Sequence, residues 1–130
     1  MANYLFVCIE NSNRSQMAEA FAHIHGTNNV KAFSAGSRPS GMVNPRAIRS
    51  MSKVGYDLSE HKSVSLDELP DLEWDYIVSM GCGEKCPWLP AKQRIEWDIP
   101  DPKAMEEEEF DAIRDRIERL VIGILDIPLK

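Results

Sequence analysis

The residues YLFVCIENSNRSQMA, at positions 4–18, change from an apolar run through polar turn formers to a helical pattern. Residues 4–8 form an apolar run bounded by polar residues, which predicts a strand buried on both faces. Residues 10–13 are turn formers. From Arg14 onward apolar residues recur at helical spacing until Gly26, which supplies a helix stop. A strand, a tight loop and a helix are therefore predicted to follow one another here.

Strands and helices alternate along the rest of the chain. Further strands are predicted at residues 30–35, 74–80 and 94–97. Asn44 caps a helix that begins at Pro45 and ends at Gly55. The capping box 65–68 opens a short helix that Pro70 cuts off. A long last helix carries apolar residues between positions 110 and 124, and the acidic residues 106–109 lie near its positive end.

Strands separated by helices predict βαβ crossovers. We therefore expect an α/β fold with three layers, α/β/α, around a four-stranded parallel sheet of order 2-1-3-4. That order places strands 1 and 3 side by side at the topological switch point, where ligands bind. No repeat or linker divides the chain, so residues 1–130 are predicted to form a single catalytic domain.

Composition and charge exclude several classes of function. The net charge is −6 and no cluster of Lys or Arg occurs, which argues against nucleic-acid or anionic-membrane binding. No segment is apolar and long enough to span a bilayer, and the first residues lack the features of a signal peptide. The three cysteines, an odd number, are then expected to be reduced thiols in the cytoplasm. We expect a monomer, although no sequence feature distinguishes it from a weak dimer.

The loop after the first strand has the composition of an oxyanion site. Main-chain N–H groups that turn inward at a helix N-terminus bind anions. Arg14 adds a planar guanidinium that can hold two oxygens at once. In this positive field Cys8 is predicted to be a thiolate nucleophile, stabilised by the Ser15 hydroxyl. The alternative is an inert buried cysteine at the end of a strand. The residues predicted to bind the oxyanion are Ile9, Glu10, Asn11, Ser12, Asn13 and Arg14.

Residues 8–19 resemble the active-site loop of the low-molecular-weight protein tyrosine phosphatase superfamily, specifically its arsenate reductase branch. The likeness continues through Ser34-Ala35-Gly36, Asn44-Pro45, Met80-Gly81-Cys82-Gly83 with Cys86-Pro87, and Trp97-Asp98-Ile99-Pro100-Asp101-Pro102. It therefore covers nearly the whole chain and implies that family's fold.

The resemblance also implies roles for individual residues. Cys8 is the nucleophile, Arg14 clamps the oxyanion, and Asn11 fixes the loop. A general acid is required because the departing oxygen must be protonated, and Asp101 takes this role ahead of Asp98. Without the family, either aspartate is more often a turn residue. The full set of implied catalytic residues is Cys8, Arg14, Ser15, Asp101, Cys82 and Cys86.

The number of cysteines favours arsenate reduction over hydrolysis of a phosphate monoester. A tyrosine phosphatase needs one thiol, whereas reduction of As(V) to As(III) takes two electrons, which two thiols supply by forming a disulfide. Gln16, where phosphatases have proline, and the non-aromatic residues 103–105 after Asp101-Pro102 also favour the reductase. Glu10, where phosphatases have glycine, is a further departure. Low-molecular-weight tyrosine phosphatase activity, alone or as a residual activity, and a non-catalytic oxyanion-binding module are the alternatives.

A disulfide relay is the predicted mechanism. Cys8 ends the first strand and Cys82 follows the third, so both thiols are expected at one sheet edge. Cys86 lies four residues after Cys82, and on a helix their Cβ atoms would be about 5–6 Å apart, whereas a disulfide needs about 3.5–4.5 Å. We therefore expect residues 81–87 to refold as the Cys82–Cys86 bond forms. An external thiol reductant, thioredoxin or a glutaredoxin-type or low-molecular-weight thiol, would then reduce it.

No tightly bound cofactor and no metal site are predicted. Zinc at Cys82 and Cys86 would need nitrogen ligands from His23, His25 or His61, and these lack a paired spacing. The resemblance implies a potassium ion at Glu19 and Ser34, but a plain helix carboxylate and strand hydroxyl are the simpler interpretation.

Overall fold

Four strands and three helices form the framework of the described part of the chain. The computed structural model describes residues 2–81 and 89–125. Its strands are β1 (Ala2–Cys8), β2 (Val30–Gly36), β3 (Trp74–Met80) and β4 (Ala91–Trp97). Its α-helices are α1 (Arg14–His25), α2 (Pro45–Ser52) and α3 (Glu107–Leu125). Short 3-10 helices lie at Leu58–Glu60, Leu66–Glu68 and Pro102–Ala104.

The observed boundaries lie close to those predicted from the sequence. β1 and β4 begin two and three residues earlier than predicted, because pairing with neighbouring strands extends beyond the apolar runs. Asn44 caps α2 by accepting from the Arg46 N–H at 2.9 Å, and α2 ends at Ser52, before Gly55. The capping box at Ser65 is present but opens only a 3-10 helix.

The strands are all parallel, in the predicted order β2-β1-β3-β4. β1 and β3 are the two central strands. Val7 lies opposite Ser79, and Cys8 lies opposite Gly36, so β1, β2 and β3 end at nearly the same level. The loops that follow β1 and β3 therefore start at one edge of the sheet.

Side chains of β1 alternate between two hydrophobic clusters. Tyr4 and Phe6 face the larger cluster, which also contains the apolar sides of α1, α2 and α3. Leu5 and Val7 face the smaller one, which residues 64–72 help to cover. Three layers were expected. In residues 2–81 and 89–125, the layer on this second face of the sheet consists of a 3-10 helix with its flanking loop. Pro70 follows so closely that no longer helix can form there.

α3 is the longest helix of the described residues, and it is amphipathic. Phe110, Ile113 and Ile117 are buried at helical spacing on its inner side. Its first turn carries Glu107 to Glu109, where acidic side chains stabilise the positive end of the helix. Across the described ranges no helix combines the length and apolar character needed to cross a lipid bilayer.

Burial of α1 against the sheet predicts a large effect of one core substitution. Phe21→Ala is expected to lower the free energy of unfolding by about 3–5 kcal/mol, because the ring is fully buried and its removal leaves a cavity. The control is Ile24→Ala on the same helix, since Ile24 is 42% exposed, and it should change stability by about 0.5 kcal/mol or less. Urea unfolding of both variants measures the difference, and equal losses would contradict this packing.

Candidate active site

The loop between β1 and α1 turns its carbonyl groups outward, where each meets a donor. The hydrogen bonds are Ser37 N to Cys8 O (3.2 Å), Arg38 N to Ile9 O (2.8 Å), Ser40 N to Glu10 O (3.0 Å), Gln16 Nε2 to Asn11 O (3.0 Å), Asn44 N to Ser12 O (3.1 Å) and Met17 N to Asn13 O (3.0 Å). In a trans peptide the next N–H points opposite to the carbonyl, and the described residues contain no cis peptide. The N–H groups of residues 9–14 therefore face the concave side of the loop.

The Cys8 sulfur lies within this ring of donors and is buried. Asn11 N–H donates to Sγ at 3.2 Å, and Ser15 Oγ lies 2.9 Å from Sγ. Asn11 Nδ2 in turn donates to Ser15 Oγ at 2.8 Å, so the hydroxyl proton of Ser15 is free to point at the sulfur. Two donors are therefore aimed at the Cys8 sulfur.

Asn11 holds the loop in a backbone conformation that few residues adopt. Its φ is 50°, in the left-handed region that asparagine tolerates better than most residues. The side-chain oxygen accepts from Val64 N at 2.9 Å and from Gln16 Nε2 at 3.0 Å. Gly36 allows the loop to pass this closely, because a Cβ there would lie 2.6 Å from Ile9 O.

Arg14 is buried at the first position of α1, with its guanidinium against the β3 end. Its NH1 group donates to Ile99 O at 2.9 Å, and NH2 lies 4.0 Å from the Asp101 carboxylate. Gly81 makes room for it, because a Cβ at Gly81 would lie 2.1 Å from NH1. The remaining N–H groups of the guanidinium are available to an anion.

The concave side of the loop forms a small pocket. It is lined by Cys8, Ile9, Glu10, Ser12, Asn13, Arg14 and Asp101. Asn13 occupies the N-cap of α1 but makes no capping hydrogen bond, and its buried Oδ1 has no partner. The helix N-terminus therefore keeps its donors for an anion, and the positive end of the helix dipole faces it.

Asp101, and not Asp98, lies at this pocket. The Asp101 carboxylate accepts from Lys103 N at 3.0 Å, which fixes it at the start of a 3-10 helix. Lys103 Nζ forms an ion pair at 3.2 Å with Glu10, which lines the pocket. Asp98 is exposed, and its carbonyl accepts from Arg116.

Gln16 connects the loop to a half-buried histidine. Its Nε2 group lies within 3.0 Å of three oxygens, Asn11 O, Asn11 Oδ1 and Lys62 O, so its Oε1 must be the acceptor for His61 Nδ1 at 2.9 Å. His61 Nε2 then accepts from Tyr56 Oη at 2.6 Å. Burial lowers the pKa of His61, against an opposing effect of Glu19, which agrees with a neutral ring. Burial also raises the pKa of Tyr56, so the phenol stays a donor.

A second polar group adjoins this one through His61, one turn along α1 from Gln16. Ser34 Oγ donates to Glu19 Oε1 at 2.6 Å, and the imidazoles of His23 and His61 lie beside the other oxygen of Glu19. The family resemblance had indicated Glu19 and Ser34, but the two histidines were missed, because His61 comes from a distant loop. The spacing of four residues between Glu19 and His23 on one helix face was the only local signal of this group.

The predicted site residues fall into two sets. Cys8, Ile9, Glu10, Ser12, Asn13, Arg14 and Asp101 line one pocket, with Asn11 and Ser15 directly behind Cys8. Cys82 and Cys86 lie outside the described residues. β3 ends at Met80, two positions before Cys82.

Comparison with known proteins finds similar chains of matching length. The family model for low molecular weight phosphotyrosine protein phosphatase matches residues 3–127. An arsenate reductase of Brevibacillus brevis is 40% identical over 116 residues, which cover 86% of this chain and 85% of the relative. A glutaredoxin arsenate reductase of Synechocystis sp. is 34% identical over 131 residues, covering 95% and 99%. A solved structure of an arsenate reductase in the phosphate binding state has a TM-score of 0.87 at 33% identity, covering 96% and 97%.

The contact between Gly81 and Arg14 predicts a specific loss of anion binding. Gly81→Ala is expected to weaken phosphate binding about tenfold or more, because the new methyl group displaces a guanidinium whose charge-assisted hydrogen bonds contribute about 1.5–3 kcal/mol each. Calorimetric titration with phosphate measures the affinity.

Gly55→Ala is the matched control for this substitution. Gly55 has a φ of 85°, close to the 74° of Gly81, but open space where its Cβ would lie. Both variants should lose about 1–2 kcal/mol of stability from backbone strain, while only Gly81→Ala loses phosphate affinity. Equal affinities in the two variants would contradict the position assigned to Arg14.

Proposed function

Because this chain belongs to the low molecular weight phosphotyrosine protein phosphatase family, we propose that it is an arsenate reductase with Cys8 as its nucleophile. The family resemblance drawn from the motifs is confirmed by this match and by similar chains named arsenate reductase. The observation that carries the proposal is the ring of inward N–H groups around the Cys8 sulfur, completed by Arg14.

Arsenate is held in the pocket by local donors, since the protein as a whole is negative. The main-chain N–H groups of residues 9–14 and the guanidinium of Arg14 supply the donors, and the N-terminus of α1 adds partial positive charge. A tetrahedral anion in this position has its central atom next to Cys8 Sγ. The relative solved in a phosphate binding state supports an anion of this shape.

The first chemical step forms a bond between sulfur and arsenic. The Cys8 thiolate attacks arsenic, and an arsenate oxygen leaves as water after it receives protons. Asp101 lies at the pocket and close to Arg14, where it can supply a proton in its acid form. The product is an arsenic(V) adduct on Cys8.

Two further thiols complete the reduction in this proposal. The Cys82 thiolate attacks Cys8 Sγ, the sulfur–arsenic bond breaks, and its electron pair stays on arsenic, which leaves as arsenite, As(III). Cys86 then attacks Cys82 and releases Cys8 as a thiolate. The sheet register supports this order, because β3 ends level with Cys8 and Cys82 follows it closely.

An external dithiol or thiol must reduce the Cys82–Cys86 disulfide after each cycle. Thioredoxin and a glutaredoxin-type reductant are the two candidates, and the relative named glutaredoxin arsenate reductase supports the second class. Three thiols in one chain favour thioredoxin, because the third thiol can transfer the disulfide away from Cys8 before the reductant acts.

The wall of the pocket favours arsenate over a phosphotyrosyl group. Glu10 lines the pocket and forms an ion pair with Lys103, which stands in the segment after Asp101-Pro102 where an aromatic residue would be needed to grip a tyrosine ring. Arg46 binds the carbonyls of Lys103 and Met105 and so holds this segment in place. Phosphatase activity, which needs only Cys8, Arg14 and Asp101, is then at most a side reaction.

Arsenite formation is the direct test of the proposed reaction. With NADPH and thioredoxin reductase plus thioredoxin, or with glutathione plus glutaredoxin, the chain should convert arsenate to arsenite, and Cys8→Ser should abolish conversion. Hydrolysis of para-nitrophenyl phosphate, run in parallel, should be far slower. Efficient hydrolysis without arsenite formation would establish a phosphatase instead, and phosphate binding without either reaction would establish an oxyanion-binding module.

The relay makes separate predictions for its two distal cysteines. With thioredoxin, Cys86→Ser should release arsenite only in the first turnover and accumulate a Cys8–Cys82 disulfide, because no thiol remains to resolve it. Cys82→Ser should release none. Rapid-quench arsenite assays and mass spectrometry measure both, and phosphate affinity should stay unchanged in both variants. Undiminished multiple turnover in both would refute the relay.

A further inference from the structure

One carboxylate and two imidazoles converge beside α1, one turn along the helix from Ser15 and Gln16. The side-chain ligand atoms of Glu19, His23 and His61 all lie within 4.8 Å of one another. Glu19 Oε2 is 3.1 Å from His23 Nε2 and 3.6 Å from His61 Nδ1. Ligands at 2.0–2.1 Å from a tetrahedral ion are about 3.3 Å apart. Two of the three separations are therefore already close to those of a metal site.

Two of these ligands are held in place by neighbours. Ser34 Oγ donates to Glu19 Oε1 at 2.6 Å, which leaves Oε2 facing the imidazoles. Tyr56 Oη lies 2.6 Å from His61 Nε2, the ring nitrogen that faces away from Glu19. Such hydrogen bonds to the second atom of a ligand orient it and are typical of metal sites. The side chain of His23 is 42% exposed, so its ring can rotate to bring Nε2 closer to His61 Nδ1.

We propose that Glu19, His23 and His61 bind a divalent transition-metal ion, with Zn²⁺ as its representative. Imidazole nitrogen favours zinc, nickel or copper, whereas potassium, magnesium and calcium prefer oxygen ligands. The donor set of two histidines and one carboxylate leaves a fourth position open to water. The surrounding depression also contains Glu60 and Glu68 against the single cation Lys62, which favours a positive ion.

Metal binding at this site is coupled to the oxyanion loop through Gln16. His61 Nδ1 now donates to Gln16 Oε1, and it must lose that proton to bind a metal. The other nitrogen then carries the proton and donates to Tyr56 Oη. Gln16, which fixes Asn11, loses its donor in the process. This coupling rests on the proposed function where it is measured through the reactivity of Cys8. Metal binding at the site does not rest on the proposed function.

Calorimetric titration with Zn²⁺ tests the site in the full chain with Cys8, Cys82 and Cys86 all replaced by serine, so that no thiol competes. His23→Gln and His61→Gln in this background should each lower the zinc affinity about tenfold or more. His25→Gln is the matched control: it lies on the same helix but pairs with Glu118 at 2.8 Å, so zinc affinity should stay unchanged. Equal affinity in all variants would overturn the proposal. So would displacement of zinc by an equal concentration of potassium, which would indicate an oxygen-ligand site.

Cobalt(II) spectroscopy of the chain with its cysteines intact provides an independent test if the cysteine-free protein folds poorly. The visible spectrum of bound Co²⁺ distinguishes nitrogen and oxygen ligands from thiolate ligands. We expect nitrogen and oxygen bands that disappear in His23→Gln and persist in His25→Gln. A spectrum with thiolate bands alone would overturn the proposal. Loss of arsenate reduction would not bear on this result, because cobalt binding is measured without substrate.

Discussion

The structure depends on keeping the carbonyl groups of one short loop pointed away from its centre. A free loop would solvate these carbonyls and lose its shape, since each residue ordered costs about 1–2 kcal/mol of conformational entropy. Here the segment after β2, the start of α2 and the side chain of Gln16 all donate to the outward carbonyls. The inward N–H groups are left for the sulfur and for an anion. A protein with a net charge of −6 thereby contains a strongly anion-attracting pocket.

The sheet brings the other parts of the site to this loop. β1 and β3 are neighbours although the chain between them contains two helices and a strand, so the end of β3 lies beside the loop after β1. Gly81 at that end leaves room for the guanidinium of Arg14, which also binds Ile99 O from the segment after β4. The residues around the anion site are therefore positioned by three strand ends, which is why the fold and the site cannot be separated.

Much of this arrangement follows from the sequence, and the parts that do not have physical reasons. Apolar runs, caps and glycines near the helix ends predicted the strands, the helices and the sheet order, because these depend on local periodicity and on the handedness of βαβ units. The closeness of Cys8 and Arg14 was predicted from the loop between a strand and a helix, and that of Asp101 was implied by the family resemblance. The hydrogen bonds from Gln16 to Asn11 and His61, and the approach of His23 and His61 to Glu19, were not predicted. His61 comes from a distant loop, and the contact between Gln16 and Asn11 depends on how the loop turns, so no periodic pattern encodes them.

If the N–H groups of residues 9–14 are donors to a bound oxyanion, amide NMR during a titration should detect the binding at each of these residues. With phosphate or arsenate, the amide protons of residues 9–14 should show large downfield shifts. The outer donors Ser37, Arg38, Ser40 and Asn44 should shift much less, because their hydrogen bonds to the loop carbonyls stay in place. Equal shifts in the two sets, or none in residues 9–14, would show that these N–H groups do not bind the anion.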